Sequence, residues 1–167
     1  LVLLSFPLSA IAAFLLARHL QLSPTSAAVA ALLFAFSPFH LAHAAYHPHI
    51  AQVQWVPLYL LALWRCLDRA TPMAVLGLAV AAACVTFSNF YGGLIAAIMT
   101  PFAIGAYVLA RRDSRAAAWR AAIITTTALG AITTVALGLL WWRASRGQLD
   151  LAMFTVQASD PFKYSAK

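Results

Sequence analysis

The stretch from Ala70 to Ala110 reads ATPMAVLGLAVAAACVTFSNFYGGLIAAIMTPFAIGAYVLA and contains no Asp, Glu, Lys or Arg. As a helix it would extend for about 60 Å, which is twice the thickness of the hydrocarbon core of a bilayer. The polar pair Ser88-Asn89 and the glycines Gly92-Gly93 lie near its middle, where a hairpin between two spans would turn. The stretch therefore predicts two membrane-spanning helices.

The whole chain has the composition of a membrane protein, because 63% of its residues are hydrophobic, 9% are charged and the mean hydropathy is +0.85. We predict an all-α fold, a polytopic transmembrane helix bundle within residues 1–142. Residues 143–167 would be the truncated start of an exterior loop or domain. The bundle would have about six spans, at residues 1–17, 24–39, 48–67, 73–87, 94–110 and 119–142.

Basic residues alternate between the connections of these spans. Arg18, Arg65 and Arg111 follow the first, third and fifth apolar runs, whereas connections 39–54 and 88–93 contain no Lys or Arg. The positive-inside rule assigns those arginines to the cytoplasm and the start of the chain to the outside. The net charge of +7 is thus spread over several connections, and nucleic acid is not a predicted partner. We expect a multi-pass protein of the cytoplasmic membrane, with the lipid bilayer as its partner.

Four of the five histidines crowd into the first of the two connections without Lys or Arg, at positions 40, 43, 47 and 49. On a helix, His40, His43 and His47 would share one side, although Pro48 disfavours helix at the residue before it. One interpretation is that His43, His47 and Gln54 line an exterior cavity and bind an anionic or hydroxyl-rich ligand.

Other interpretations of this cluster remain. Imidazoles at a wet membrane boundary also bind water and lipid headgroups. A metal site is disfavoured because no Asp, Glu or Cys lies nearby and the spacing matches neither of the usual zinc helices, so we assign no metal and no cofactor. Asn89 is either part of a tight turn or a further polar contact for an exterior ligand.

Several short segments between Leu15 and Leu58, together with one at Ser88, form a recognisable combination. They are Leu15-Leu16-Ala17-Arg18 with Leu22-Ser23, Phe34-Ala-Phe36-Ser37-Pro38-Phe39, His43, His47, Trp55-Val-Pro57-Leu58, and Ser88-Asn89-Phe90-Tyr91-Gly92. This combination resembles the polytopic glycosyltransferases of the GT-C superfamily, in particular the bacterial branch related to protein mannosyltransferase-like enzymes. The resemblance implies sugar transfer from a polyprenyl-phosphate-linked donor on the outer face of the cytoplasmic membrane.

In that superfamily an acidic residue in the first exterior loop acts as the base toward the acceptor, and no position here matches it. We therefore assign no catalytic residue. The resemblance implies that the chain is a fragment of a larger GT-C-like membrane domain, with at least one further span before Leu1 and then an exterior loop bearing Asp or Glu. Arg143 and Arg146 would lie near the outer boundary, where they either bind the donor phosphate or extend to lipid headgroups.

A non-catalytic membrane scaffold or a transporter subunit is the alternative function. Transporters usually carry ionisable groups inside their spans, and the predicted spans contain essentially none, which disfavours coupling to protons or sodium. In the sixth span, small residues follow one another at four-residue spacing and predict the close approach of another helix, from the same chain or from a second copy. These residues are Thr126, Gly130, Thr134 and Gly138.

Cysteine labelling tests the predicted topology. In a background lacking Cys66 and Cys84, single cysteines at Ser114 and Ala45 should react with a membrane-impermeant thiol reagent from opposite sides, because the positive-inside rule separates them. Labelling of both positions from the same side would contradict the six-span topology.

Overall fold

The computed structural model describes residues 2–47, 50–88, 90–110 and 115–147, and these residues form helices without any strand. The helices are α1 Val2–His19, α2 Pro24–Ala35, α3 Pro38–Tyr46, α4 Trp55–Asp68, α5 Pro72–Ser88, α6 Phe90–Ala110 and α7 Arg115–Ser145. The chain divides into two compact units, Leu1–Leu129 and Gly130–Lys167. The prediction of an all-α fold is confirmed.

The apolar helices make this a membrane protein. Their exposed faces carry large hydrophobic side chains, such as Leu33 and Phe102, which are each 71% exposed and need an apolar surrounding. Among the described residues, four helical segments are long and apolar enough to cross a bilayer: Val2–His19, Pro24–Tyr46, Gly92–Ala110 and Ala116–Ser145.

The second span is longer than predicted. Pro24–Tyr46 forms one apolar helical segment of 23 residues, instead of ending near Phe39. The chain bends between α2 and α3 because Pro38 has no N–H with which to continue the hydrogen-bond ladder. Ser37 then caps the new helix, since its Oγ accepts a hydrogen bond from the backbone N–H of His40 at 3.3 Å.

The helix at the third predicted span is shorter than predicted. α4 begins at Trp55, whereas the predicted start, Pro48, lies outside the described residues. With 14 residues α4 extends for about 21 Å, which is less than the roughly 30 Å of a hydrocarbon core. Gln52 and Gln54 consequently lie in the turn that precedes the helix.

The hairpin between α5 and α6 is tighter than predicted. α6 begins at Phe90, so that Gly92 and Gly93 belong to the helix and not to the turn. A Cβ atom at Gly93 would lie 3.0 Å from the Cα and the Oγ1 of Thr86 on α5. The glycine is therefore needed because the two helices approach closely. Asn89, between the two helices in sequence, lies outside the described residues.

Small side chains form the contact between α1 and α2. The buried residues of α2 are Ala27, Ala31 and Ala35, which repeat every four residues along one face. The buried residues of α1 are Ser5, Ser9, Ala12 and Ala17. Such faces allow two backbones to approach closely in lipid, where dispersion and hydrogen bonding replace the hydrophobic effect as the driving force.

α4 lies at the centre of the first unit. Its Leu63 and Leu67 are almost completely buried, and the surrounding core comes from α5, α6 and the first part of α7. Hydrogen bonds add to this packing: the hydroxyls of Tyr59 and Thr100 are 2.6 Å apart, and Thr125 donates to Cys66 Sγ at 3.4 Å. Cys66 and Cys84 are free, Cys66 in the core and Cys84 half-buried.

His40 joins α3 to α1 and α2. Its ring is completely buried and stacks on Phe6 at 4.2 Å between centroids. Its Nδ1 lies 2.7 Å from the carbonyl oxygen of Ala35, which can only accept, so Nδ1 carries the proton. Its Nε2 lies 2.8 Å from the hydroxyl of Ser5, which also donates to the carbonyl oxygen of Val2 at 2.7 Å. The side chain of His40 therefore belongs to the core.

We predict that His40→Ala lowers the free energy of unfolding by about 2–4 kcal/mol, because it removes two buried hydrogen bonds and a stacked ring. His43→Ala is the matched control and should change stability by less than about 0.5 kcal/mol, since that ring is partly exposed. Thermal unfolding of both variants in one detergent measures the difference. Equal losses of stability would contradict the assigned role of His40.

Candidate functional site

The side chain of Gln54 is buried and only half satisfied. The residue is 3% exposed, and its Nε2 donates to Gln52 Oε1 at 2.7 Å. Its own Oε1 is buried and accepts no hydrogen bond from the described part of the chain. A buried acceptor without a donor costs about 1–3 kcal/mol, which a bound O–H or N–H group would recover. The Oε1 of Gln54 can thus accept a hydrogen bond from an O–H or N–H group outside the described chain.

The two candidate histidines lie next to each other at the end of α3. His43 donates from Nδ1 to its own helix, at the carbonyl oxygen of Phe39, over 2.8 Å. Its ring stacks on Phe39 and lies 5.7 Å from the ring of His47. His47 caps the helix with φ −139° and ψ 72°, as expected for a residue before proline. The bond at Nδ1 makes Nε2 of His43 an acceptor, which suits a ligand that donates.

The structure joins the candidate residues only in pairs. His43 contacts His47, and Gln54 contacts Gln52, but neither a hydrogen bond nor a ring contact joins His43 to Gln54. Within the described ranges, no three His, Cys, Asp or Glu side chains are close enough together to hold a metal ion. Asn89, the remaining candidate of this region, lies outside the described residues.

Two serines have the same property as Gln54. Ser9 Oγ and Ser88 Oγ are buried and lack a hydrogen-bond partner in the described chain. Ser88 ends α5 and Gln54 directly precedes α4, so on two neighbouring antiparallel helices the unpaired atoms lie at the same end. The sequence analysis missed these unpaired atoms, because the type of a residue does not reveal whether its side chain has a hydrogen-bond partner in the fold. The end of the bundle that topology assigns to the exterior thus collects unsatisfied hydroxyl and carboxamide groups.

The two candidate arginines belong to the second unit. Arg143 lies in the last turn of α7, and the guanidinium carbon of Arg146 lies 4.4 Å from the centre of the Trp142 ring. This distance is that of a cation–π contact. An arginine held on an aromatic ring in this way is typical of the membrane boundary.

A second polar cluster lies at the opposite end of α4. Asp68 accepts from the hydroxyl of Tyr107 at 3.1 Å, and its other carboxylate oxygen lies 3.0 Å from Nε2 of His19. The Tyr107 hydroxyl is also 3.0 Å from the carbonyl oxygen of Leu67. This cluster joins α1, α4 and α6 at the end that the arginine pattern assigns to the cytoplasm. An acid among apolar spans is typically paired in this way.

No curated protein and no solved structure matches the chain. A family profile described as "Domain of unknown function (DUF6311)" matches residues 1–166. Because this match covers nearly the whole sequence, the chain belongs to the DUF6311 family.

Proposed function

We propose that this chain is part of an integral membrane glycosyltransferase-like protein, which uses a polyprenyl-phosphate-linked sugar on the outer face of the cytoplasmic membrane. The observation that supports this function best is the buried carboxamide oxygen of Gln54, which has no donor within the described chain. It lies at the end of the bundle that the positive-inside rule assigns to the exterior. A sugar donor anchored in the outer leaflet would reach this end.

The chemistry of the available groups fits hydroxyls better than anions. Gln54 Oε1 and His43 Nε2 are neutral acceptors, and sugar hydroxyls are donors that match them. Ser88 adds a hydroxyl that can donate or accept. The described residues of this region contain no Lys or Arg, so a phosphate would need its cation from elsewhere in the protein. The site therefore suits the sugar part of a lipid-linked donor, or a hydroxyl-bearing acceptor.

The proton transfer would be supplied by a residue outside the described ranges. A transferase that moves a sugar onto a hydroxyl needs a base, for which a carboxylate is suited. Asp68 is the only acidic residue in the part of the chain that the structure describes, and it lies at the other end of α4 with its oxygens bound to His19 and Tyr107. The described helices would thus bind and orient, while an exterior carboxylate removes the proton.

A non-catalytic scaffold is the second candidate, and the His19–Asp68–Tyr107 cluster favours it. This cluster uses the one described acid to hold three helices together. In a scaffold, Gln54 would serve the same purpose through its bond to Gln52. The two functions therefore differ in what a change at Gln54 does to stability.

The Gln54→Met variant separates these functions. In a transferase it should lower sugar release about tenfold, the effect of one lost hydrogen bond of about 1.4 kcal/mol, while the melting temperature stays the same or rises. The rise is expected because the variant removes a buried acceptor that has no donor. The measurement uses the full-length protein in proteoliposomes with undecaprenyl-phosphate carrying radiolabelled mannose, glucose or galactose, and follows label that leaves the lipid.

The matched control is Thr86→Val, which removes a hydroxyl at the same end of α5 and keeps the shape of the side chain. Thr86 donates its hydrogen to the Ala82 carbonyl of its own helix at 2.8 Å, so its polar group already has a partner, and sugar release should stay within about twofold of wild type. A lower melting temperature for Gln54→Met with unchanged sugar release would make Gln54 a structural residue and remove it from the proposed site. Absence of sugar release from wild-type protein with every donor would contradict the transferase.

A further inference from the structure

A long groove runs between α4 and α5. It encloses about 1180 Å³ and is open along its side. Its walls are apolar over most of the length, with Leu58 and Leu61 from α4 facing Leu76 and Val80 from α5. Because it follows α4 from Trp55 to Arg69, it is about 21 Å long. The groove is therefore long and narrow, with the dimensions of an extended hydrocarbon chain in one leaflet, which is about 15 Å deep.

One end of the groove is positively charged. Arg65 and Arg69 line it, both are exposed, and neither side chain has a hydrogen bond or ion pair in the described chain. Asp68 and His19 line the same end, which therefore carries two arginines and one carboxylate, and that carboxylate is bound by His19 and Tyr107. α5 begins at this end and carries no acidic residue in its first turn, so its helix dipole adds to the positive potential.

Because α4 is short, its arginines lie near the hydrocarbon, and placing their charges there costs free energy unless an anion accompanies them. Arg65 lies ten residues from Trp55, which is about 15 Å along the helix and only half of a hydrocarbon core. A guanidinium at such a depth is stabilised by extension toward the headgroups, local thinning of the bilayer or an anionic partner. A planar guanidinium can bind a phosphate through two parallel hydrogen bonds.

We propose that this groove binds one anionic phospholipid of the cytoplasmic leaflet, with an acyl chain between α4 and α5 and the phosphate against Arg65 and Arg69. The apolar length and the charged end of one groove match the two parts of such a molecule. The charged end of the groove lies at the opposite side of the bundle from the exterior polar groups. The lipid site is therefore distinct from them. It does not depend on the proposed transferase activity.

Lipid binding to the purified full-length protein tests the proposal. Native mass spectrometry of the protein in detergent, titrated with palmitoyl-oleoyl phosphatidylglycerol or phosphatidylcholine, gives the affinity for each lipid. We expect preferential binding of one phosphatidylglycerol. The double variant Arg65→Gln/Arg69→Gln should weaken that affinity about 25-fold, at about fivefold for each charge, and leave phosphatidylcholine unchanged within about twofold. Arg120→Gln, an arginine outside the groove, is the control and should match wild type.

A second variant tests the apolar part of the groove. Gly77 lines it, and a Cβ atom there would meet nothing within 4 Å, so Gly77→Phe fills the groove without disturbing the helices. We expect at least about a tenfold loss of affinity for both lipids, because each displaced methylene accounts for about fourfold. Gly105→Phe is the matched control, since Gly105 on α6 also has open space around it.

The two variants together decide the outcome. If Gly77→Phe binds lipid with the affinity of the wild type, the groove is not the binding site. The lipid would then be held only by its attraction to surface charge. The same loss from Arg120→Gln as from the double variant would also overturn the groove site. If another helix of a longer protein fills the groove, both variants will bind lipid like wild type, which likewise contradicts the proposal. Val80→Phe replaces Gly77→Phe if that variant is not monodisperse, because Val80 lines the same groove and is 55% exposed.

Discussion

α4 is held by hydrogen bonds from neighbouring helices, and this constraint determines much of the first unit. In lipid, helices gain little from burying apolar side chains against one another, because the surrounding acyl chains are equally apolar. Close packing and polar contacts must therefore specify which helices are neighbours. Along α4, Tyr59 meets α6, Cys66 meets α7, and Asp68 meets both α1 and α6. Each contact contributes modestly, about 0.6 kcal/mol on average, but together they fix α4 among its neighbours.

The two ends of α4 differ in how completely their polar groups are satisfied. At Asp68 both carboxylate oxygens have partners, and the cluster joins three helices. At Gln54 the carboxamide nitrogen has a partner and the oxygen has none. Natural proteins keep such unsatisfied groups where a ligand completes them, and they accept the lower stability of the empty state. This asymmetry supports the proposed site at the Gln54 end, since hydrophobicity and helix length alone do not distinguish the two ends.

The sequence was sufficient to predict the fold class and most of the helices. Long apolar runs without charge have one stable solution in a bilayer, and the Ser23-Pro24 pair begins α2 as predicted. The errors arose where a local signal has two meanings. Ser37-Pro38 restarts a helix within one span, although the same pair also marks the end of a span. Gly93 permits close packing of helices, although glycine equally favours a turn.

The candidate site was less predictable than the fold, for a physical reason. The spacing of His40, His43 and His47 predicts how their side chains are arranged around a helix, but burial depends on which helix packs there. His40 lies against Ser5, 35 residues earlier, and His19 lies against Asp68, 49 residues later. A single sequence contains no signal for such distant pairs. The unpaired oxygen of Gln54 is harder still to predict, because it is defined by a missing contact.

The length of α4 connects the exterior groups with the lipid groove. A helix of about 21 Å cannot keep both of its polar ends outside a hydrocarbon core of about 30 Å. When Gln54 lies at the outer boundary, Arg65 and Arg69 are drawn toward the hydrocarbon, and when the arginines reach the headgroups, Gln54 is drawn inward. The arginines must therefore extend toward the headgroups, the bilayer around α4 must become thinner, or an anion must accompany the arginines. A lipid phosphate at Arg65 and Arg69 would satisfy the last condition and let Gln54 remain near the outer boundary, where the proposed lipid-linked sugar would reach it.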